Sequence, residues 1–370
     1  MRRVAVVGLL VASVARADEP VPTPAPVTGA TETIVLVDRG PRGGTADLTS
    51  DDPAVRDRRA RLSEPAFVTV VHVDEREGET RGVADALGAT VGVDSRSLGG
   101  LGAFASVTVR GNAPGHTQVS IDGVPLSRLG SVTADLGRYE LDSFDRVELY
   151  RGAVPVTLGG AGVGGALDLQ SRVGRSATGE RWHLTLGGGA FGARAGRLRF
   201  GDGDPATRAI AAEVGYAGAT GDYDFFDDGG TLLSPADDRT STRVNNGYDQ
   251  LDAVVRGAGA STRGGWRGGV RALARRQGVP GAGWDQARST RLDTAGATID
   301  GAIDRDEPGD VTGAAVRGSA YATIEVQAFR DPADEIGTAS QDRRYLTLGG
   351  GGQVAATLRR GRHRGTAALE

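Results

Sequence analysis

Apolar residues recur at every second position through much of the chain, in short runs broken by Gly and polar clusters. A period of two marks β-strands that bury one face. AFVTVVHV, from Ala66 to Val73, reads as a strand. In ETRGVADALG the spacing turns helical, with Val83 and Leu87 on one face and Gly88 as the stop signal. SVTVRG, HTQVSIDGVPL, FDRVELYRG and GALDLQSR return to strand pattern, and Asp122-Gly123 between β-prone residues marks a tight turn. Residues 64–174 are therefore expected to form a small α+β domain. The segments that follow alternate more regularly: HLTLGGG, GRLRFGD, RAIAAEVGYAG, YDQLDAVVRGAG, GGVRALARR, ATIEVQAFR and GQVAATLRR. Ile210, Ala212, Val214 and Tyr216 would face one way, and Ala211, Glu213 and Gly215 the other; Ile324, Val326 and Ala328 likewise oppose Glu325 and Gln327. A half-buried soluble sheet shows the same alternation. Segments of ~9–11 residues, joined alternately by short turns and long polar loops, favour membrane-crossing strands of a β-barrel.

Composition supports β-structure rich in turns. Gly supplies 59 of 370 residues, more than twice its usual ~7 per cent share, without a triplet period. There is no Cys, which excludes disulfides and thiolate metal sites, and every Lys/Arg position is an Arg. The net charge of −4 lacks the basic excess of a nucleic-acid binder, so no nucleic-acid partner is expected.

At the N-terminus, basic Arg2 and Arg3 precede an apolar run from Val4 to Val14 and then Ala15-Arg16-Ala17. This is the layout of a secretory signal peptide over residues 1–17, and its apolar run is shorter than the ~20 residues of a membrane-spanning helix. Residues 18–63 read as a flexible periplasmic segment, Pro-rich from Asp18 to Ala30 and polar again after Pro41. Between the two stands β-prone TETIVLV, residues 31–37. A short strand on a leash suits addition to a partner's sheet edge; an edge strand of the first domain is the other reading.

The stretch GGAGVGGALDLQSR, from Gly159 to Arg172, contains the spelling of a dinucleotide-binding loop at Gly160, Gly162 and Gly165. That loop requires a strand before it and a helix opening at its third Gly. Here an alternating, strand-like segment follows, and Pro155 interrupts what precedes. The glycines Gly159, Gly160, Gly162, Gly164 and Gly165 are read as sharp turns and close backbone packing instead.

Taken in order, these segments resemble the N-terminal part of a TonB-dependent outer-membrane receptor. ETIVLV resembles the energy-coupling TonB box. VADALGATVGVDSRSLGGLGAFASVTVRG resembles the early plug domain, VSIDGVPLS its middle, and FDRVELYRGAVPVTLGGAGVGGALDLQSR its closing signature. The resemblance is dense from Val83 to Arg172 and rests on pattern beyond it. It implies an α+β plug domain followed by antiparallel transmembrane β-barrel strands, with residues 175–370 forming a partial β-barrel. It implies active uptake of a scarce small-molecule or metal-chelate ligand, such as an iron–siderophore complex, across the outer membrane. Glu32, Thr33, Ile34, Val35, Leu36 and Val37 would contact TonB, itself driven by its inner-membrane complex. Arg110, Gly111, Asp122, Gly123, Arg146, Glu148, Arg151 and Gly152 would be the plug signature, the charged ones pairing with barrel-wall carboxylates and the others making turns. Outer-membrane lipid would be a further partner.

The chain after residue 175 has room for on the order of ten strands, whereas a plug-holding barrel has about 22. With no terminal aromatic in RGTAALE, the sequence is expected to be a fragment of a longer receptor; a stand-alone periplasmic binding or signalling module is the alternative. No catalytic set stands out, so no enzyme activity, cofactor or metal is expected. His72, His116, His183 and His363 lack ligand spacing, and no Ser sits in a nucleophile elbow. Asp222, Asp224, Asp227 and Asp228 are expected to solubilise an external loop rather than bind Ca²⁺.

Overall fold

The structure is a computed structural model that describes residues 32–33, 68–73, 82–88, 90–127, 133–152, 154, 158–159, 163–174, 180–231, 234–261, 263–307, 312–360 and 363–369. The signal-like segment and most of the TonB-box residues, Ile34 to Val37, lie outside these residues.

The first domain is built on a six-stranded sheet. Its strands are β1 (Glu32–Thr33), β2 (Val68–His72), β5 (Thr117–Ile121), β6 (Val124–Pro125), β7 (Phe144–Tyr150) and β8 (Gly165–Ser171). They lie in the order β1-β2-β7-β8-β5-β6. Only the β5–β8 pairing is parallel; the remaining neighbours are antiparallel. Helix α1 (Val83–Gly88) packs on a separate hairpin of β3 (Val93–Ser97) and β4 (Ala105–Val109). Val83 and Leu87, the helical face read from the sequence, are fully buried with Val109, Leu136, Phe144 and Leu167. Asp122 and Gly123 both adopt positive φ and join β5 to β6, the I′-like geometry that Asp-Gly favours. Strand β3 is one the alternation does not mark, because VDSRS carries a single apolar residue.

Gly165 shows why its stretch is rich in Gly. It opens β8 at φ +124°, and a Cβ there would run into the Tyr150 carbonyl of the neighbouring strand. A side chain would separate β7 from β8 at the centre of the sheet. Gly159 also has positive φ, whereas Gly160 and Gly162 lie outside the described residues.

Nine strands, most of them longer, form the second unit among the described residues. They are β9 (Trp182–Gly188), β10 (Arg194–Asp204), β11 (Arg208–Ala219), β14 (Tyr248–Ser261), β15 (Gly264–Gly278), β16 (Arg291–Glu307), β17 (Thr312–Asp331), β18 (Gln341–Arg360) and β19 (His363–Leu369). All neighbours are antiparallel, and the sheet runs in chain order from β9 to β19 as an open meander. The connections 205–207, 262–263, 308–311 and 361–362 are short; 220–247, 279–290 and 332–340, at the other end, are long. Strands β12 (Asp224–Asp227) and β13 (Arg239–Thr242) make a small hairpin inside the first long connection, where the sequence suggests only a loop.

From β11 to β18 the wall strands exceed the expected ~9–11 residues: β17 and β18 have 20 each. The alternation does not mark β16, since Gly, Ala, Thr and Asp dominate it. Pairing along its whole length with β15 and β17 places it. The expected facing of β11 holds: Ile210 and Val214 are exposed, while Ala209, Ala211 and Glu213 are buried.

Candidate functional site: the domain–wall seam and the apical cavities

The first domain packs against one face of the nine-stranded wall, and that face is charged. Arg197 on β10 is buried among three carboxylates, at 2.5 Å from Glu213, 2.9 Å from Asp252 and 3.1 Å from Asp142. Asp142 belongs to the first domain, so this cluster ties the domain to the wall. Arg256 on β14 lies 2.5 Å from Asp300 of the wall and 3.3 Å from Asp122 of the domain. Arg271 on β15 donates to Ser171 Oγ at 2.7 Å and stacks over the Phe144 ring. Arg275 donates to the carbonyls of Gly102 and Gly137, and Gln250 donates to that of Arg138. In the other direction, Arg138 reaches Glu325 of the wall at 3.3 Å. Guanidinium forks suit such a seam because one side chain can bridge several acceptors from different strands.

On the opposite face the same strands carry apolar residues. Leu184, Leu198, Val214, Val255, Val270 and Ile299 are exposed there. Next to the short-turn end, Trp182 stacks near Phe200, and Trp266 is likewise exposed. A wall that is apolar outside, charged within and edged by aromatic rings is how a barrel strand meets lipid.

Several residues expected from the sequence are framework positions within the domain. Arg110 and Gly111 take positive φ after β4. Arg146 donates to Glu148 at 2.9 Å, and Glu148 also accepts from the Tyr150 hydroxyl at 2.8 Å. Arg151 donates to Thr69 and to the Val91 carbonyl, tying β2 to the approach to β3, while Gly152 supplies a positive φ beside it. Of the signature residues, Asp122 has an ion pair to the wall. The wall arginines Arg197, Arg256, Arg271 and Arg275 are not singled out by sequence reasoning. Charged residues on the inward parity of strands with an apolar outward parity are the signal that points to them.

The Asp122-Gly123 turn is held from inside as well. Asp168 on β8 accepts from Ser120 Oγ at 2.7 Å and from the Gly123 amide at 3.0 Å. Burial pushes its carboxyl up to about 6, and Glu148 directly across the sheet adds to the rise; the Ser120 bond opposes it. The folded domain holds this proton to higher pH than the free side chain does, so its contribution to stability falls as pH rises from about 4 to about 6. Replacing Asp168 with Ala would leave the Gly123 amide without its acceptor and the Ser120 hydroxyl with only its longer bond to the Leu167 carbonyl, at 3.3 Å. We expect a loss of about 2–3 kcal/mol, read as a lower denaturant midpoint for the domain's transition.

Two cavities lie at the long-connection end, around the tip of the β3–β4 hairpin. An inner cavity of about 470 Å³ separates the domain from the wall, and Asp85, Glu140, Arg194 and Tyr248 line it together with many glycines. An outer cavity of about 390 Å³ is bordered by Phe191, Tyr223 and Asn246. Gly99, Gly100 and Leu101 border both, so the hairpin tip is the partition between them. Gly102 packs so close to the Tyr248 ring that a Cβ would clash with it.

The long connections are braced by carboxylates. Asp227 accepts from Arg239 and Ser241, and Asp224 from Thr242, holding the β12–β13 hairpin. Glu335 accepts from the amides of Arg288, Ser289 and Thr290 and from two hydroxyls, clamping one long connection to the next. These bonds, the Arg288 amide first, hold its carboxyl down to about 2. The clamp is therefore complete above the ordinary glutamate pKa of 4.5 and is lost as pH falls from there toward 2. Amide exchange at Ser289 and Thr290, corrected for intrinsic rate, should accelerate across that window and not above it. Among the described residues, no three His, Cys, Asp or Glu side chains are placed to hold a metal ion.

Residues 60–166 match the TonB-dependent Receptor Plug Domain family. This segment is a TonB-dependent receptor plug domain. The plug and the wall strands together are similar to the solved copper transporter OprC, at 15% identity and a TM-score of 0.57, over 80% of this chain and 43% of that one. They are similar to the closed form of the ferric-catecholate import receptor Fiu from E. coli K12, at 15% identity and a TM-score of 0.51, over 80% and 44%. A further likeness is to a ferric enterobactin receptor (PfeA) mutant from Pseudomonas aeruginosa in complex with enterobactin, at 14% identity and a TM-score of 0.50, over 82% and 49%. The chain thus spans less than half the length of each, and the shared feature is the fold: a plug domain inside antiparallel barrel strands.

Proposed function

We propose that the chain acts as the plug and leading barrel strands of an outer-membrane receptor that imports a scarce ligand and is energised by TonB. The observation that carries this reading is the two-sided wall. Its outer face is apolar and its inner face grips the plug through Arg197, Arg256, Arg271 and Arg275. A barrel wide enough for a bulky ligand leaks unless a folded domain fills it, and a charged seam lets that domain be held yet moved. Glu32–Thr33 pairs along the outer edge of the plug sheet, against Val70 and Val71. An edge location suits a box that must exchange one strand partner for another. The solved relatives named for ferric catecholate, ferric enterobactin and copper make a metal chelate a reasonable cargo class.

The test is the size and location of the native product. An antibody raised against residues 64–172 is used on outer-membrane and periplasmic fractions of the source bacterium. A heat-modifiable outer-membrane band is expected. A soluble periplasmic band would instead mean a binding or signalling module, and the transport reading would fall.

A further inference from the structure

The inner cavity has a charge balance that the plug-and-barrel architecture does not require. Glu140 and Asp85 both line it, and neither carboxylate accepts a hydrogen bond among the described residues. Glu140 lies partly buried between plug and wall, bordering this cavity and a much smaller void shared with Ser143 and Asp252. Its backbone bridges to Gly82 at the start of α1, which places it on the same wall of the cavity as Asp85. The lining cation, Arg194, is committed elsewhere, donating to Tyr216 and to Asp249 at 2.8 Å each. Arg197 is likewise engaged by Glu213, Asp252 and Asp142, and Arg275 by plug carbonyls and the Tyr248 ring. Asp85 stands exposed at the rim, whereas Glu140 is partly buried, and an unpaired carboxylate there costs solvation unless something positive enters.

We propose that the inner cavity is a recognition subsite for an organic ammonium group, with Glu140 as its principal anchor and Asp85 as the second carboxylate. Among the described residues, no third ligating side chain is placed to complete a bare metal site, whereas an ammonium group needs only acceptors, and two carboxylates face a cavity otherwise lined largely by glycines. The volume of about 470 Å³ falls within the range of small-molecule sites. The outer cavity, with Phe191 and Tyr223 in edge-to-face contact at 6.0 Å, offers an apolar surface just beyond the hairpin tip. The ligand would thus be amine-bearing, its cationic end seated inward. This deepens the transport reading, on which it relies only for the ligand's arrival.

Protonation follows from the same geometry. Burial pushes the Glu140 carboxyl up to about 7; Asp142, Asp252 and Asp85 add to the rise, and Arg197 opposes it. Tyr248 and Arg275 also face it. An entering cation binds the deprotonated form, so binding should release protons near pH 7 and weaken about tenfold for each pH unit below that.

The experiment is calorimetric titration of the full chain in detergent micelles, with spermidine as the amine and citrate as the anion. Spermidine is expected to bind with proton release, and citrate not to bind. Glu140→Gln should weaken spermidine about tenfold or more, while Asp238→Asn, in the loop outside the cavity, should leave it unchanged. If Glu140→Gln does not fold, Asp85→Asn should still weaken binding severalfold. Absence of spermidine binding, equal affinity in the cavity variants, or preference for citrate overturns the proposal. Because binding in micelles needs no TonB, a failed subsite and a failed transport reading give different results.

Discussion

Arg197→Ala is expected to release the plug from the wall. The guanidinium is buried and shared by Glu213 and Asp252 of the wall and Asp142 of the plug. Truncation would leave three carboxylates close together with no cation among them. Removing one partner of a buried ion pair costs about 3–5 kcal/mol, because the remaining charge cannot be re-solvated. Here the cost falls on the contact between two units, so the plug should loosen before the wall unfolds. Limited proteolysis in micelles should cut plug loops at least tenfold faster, while the wall keeps its β-sheet circular dichroism. Arg197→Lys keeps the charge but loses the fork, and should restore protection only in part. Unchanged protease resistance in Arg197→Ala would show that the cluster does not hold the plug.

Val35→Pro is expected to abolish binding to the periplasmic domain of TonB. In strand addition, backbone N–H and C=O groups carry the affinity, and Pro removes one donor while fixing φ. Val35 lies outside the described residues, two positions beyond the short pairing of Glu32–Thr33 with Val70 and Val71 at the sheet edge. The described seam and cavities are built from other parts of the chain, so spermidine binding in micelles should persist. Surface-immobilised TonB domain would show the unsubstituted chain bound and the variant not. Normal binding by Val35→Pro would remove the coupling role from residues 32–37.

The alternating pattern by itself determined that the chain is β-rich and that an α+β unit precedes longer strands. It also identified the face of α1 through Val83 and Leu87, and the turn at Asp122-Gly123. These are local properties: strand period, helix period and turn chemistry leave their mark within a few residues. The order of the plug motifs carried the rest of the recognition, while the strand-like segment after Gly165 and Pro155 before the loop disposed of the dinucleotide reading of Gly160, Gly162 and Gly165.

Tertiary structure decided what those residues meet. Nothing local in GGVRALARR tells that Arg271 bonds Ser171, 100 residues earlier, or that Arg275 reaches the plug carbonyls. Strand β16 is legible only through its neighbours, because a strand whose outward residues are mostly small carries little apolar signal. Glu140 lacks any motif; its significance comes from α1, the β3–β4 hairpin and four wall strands that line the same cavity. Local periodicity dictates which face a side chain takes, but charge compensation is a property of groups brought together from distant parts of the chain, and only the folded arrangement determines it.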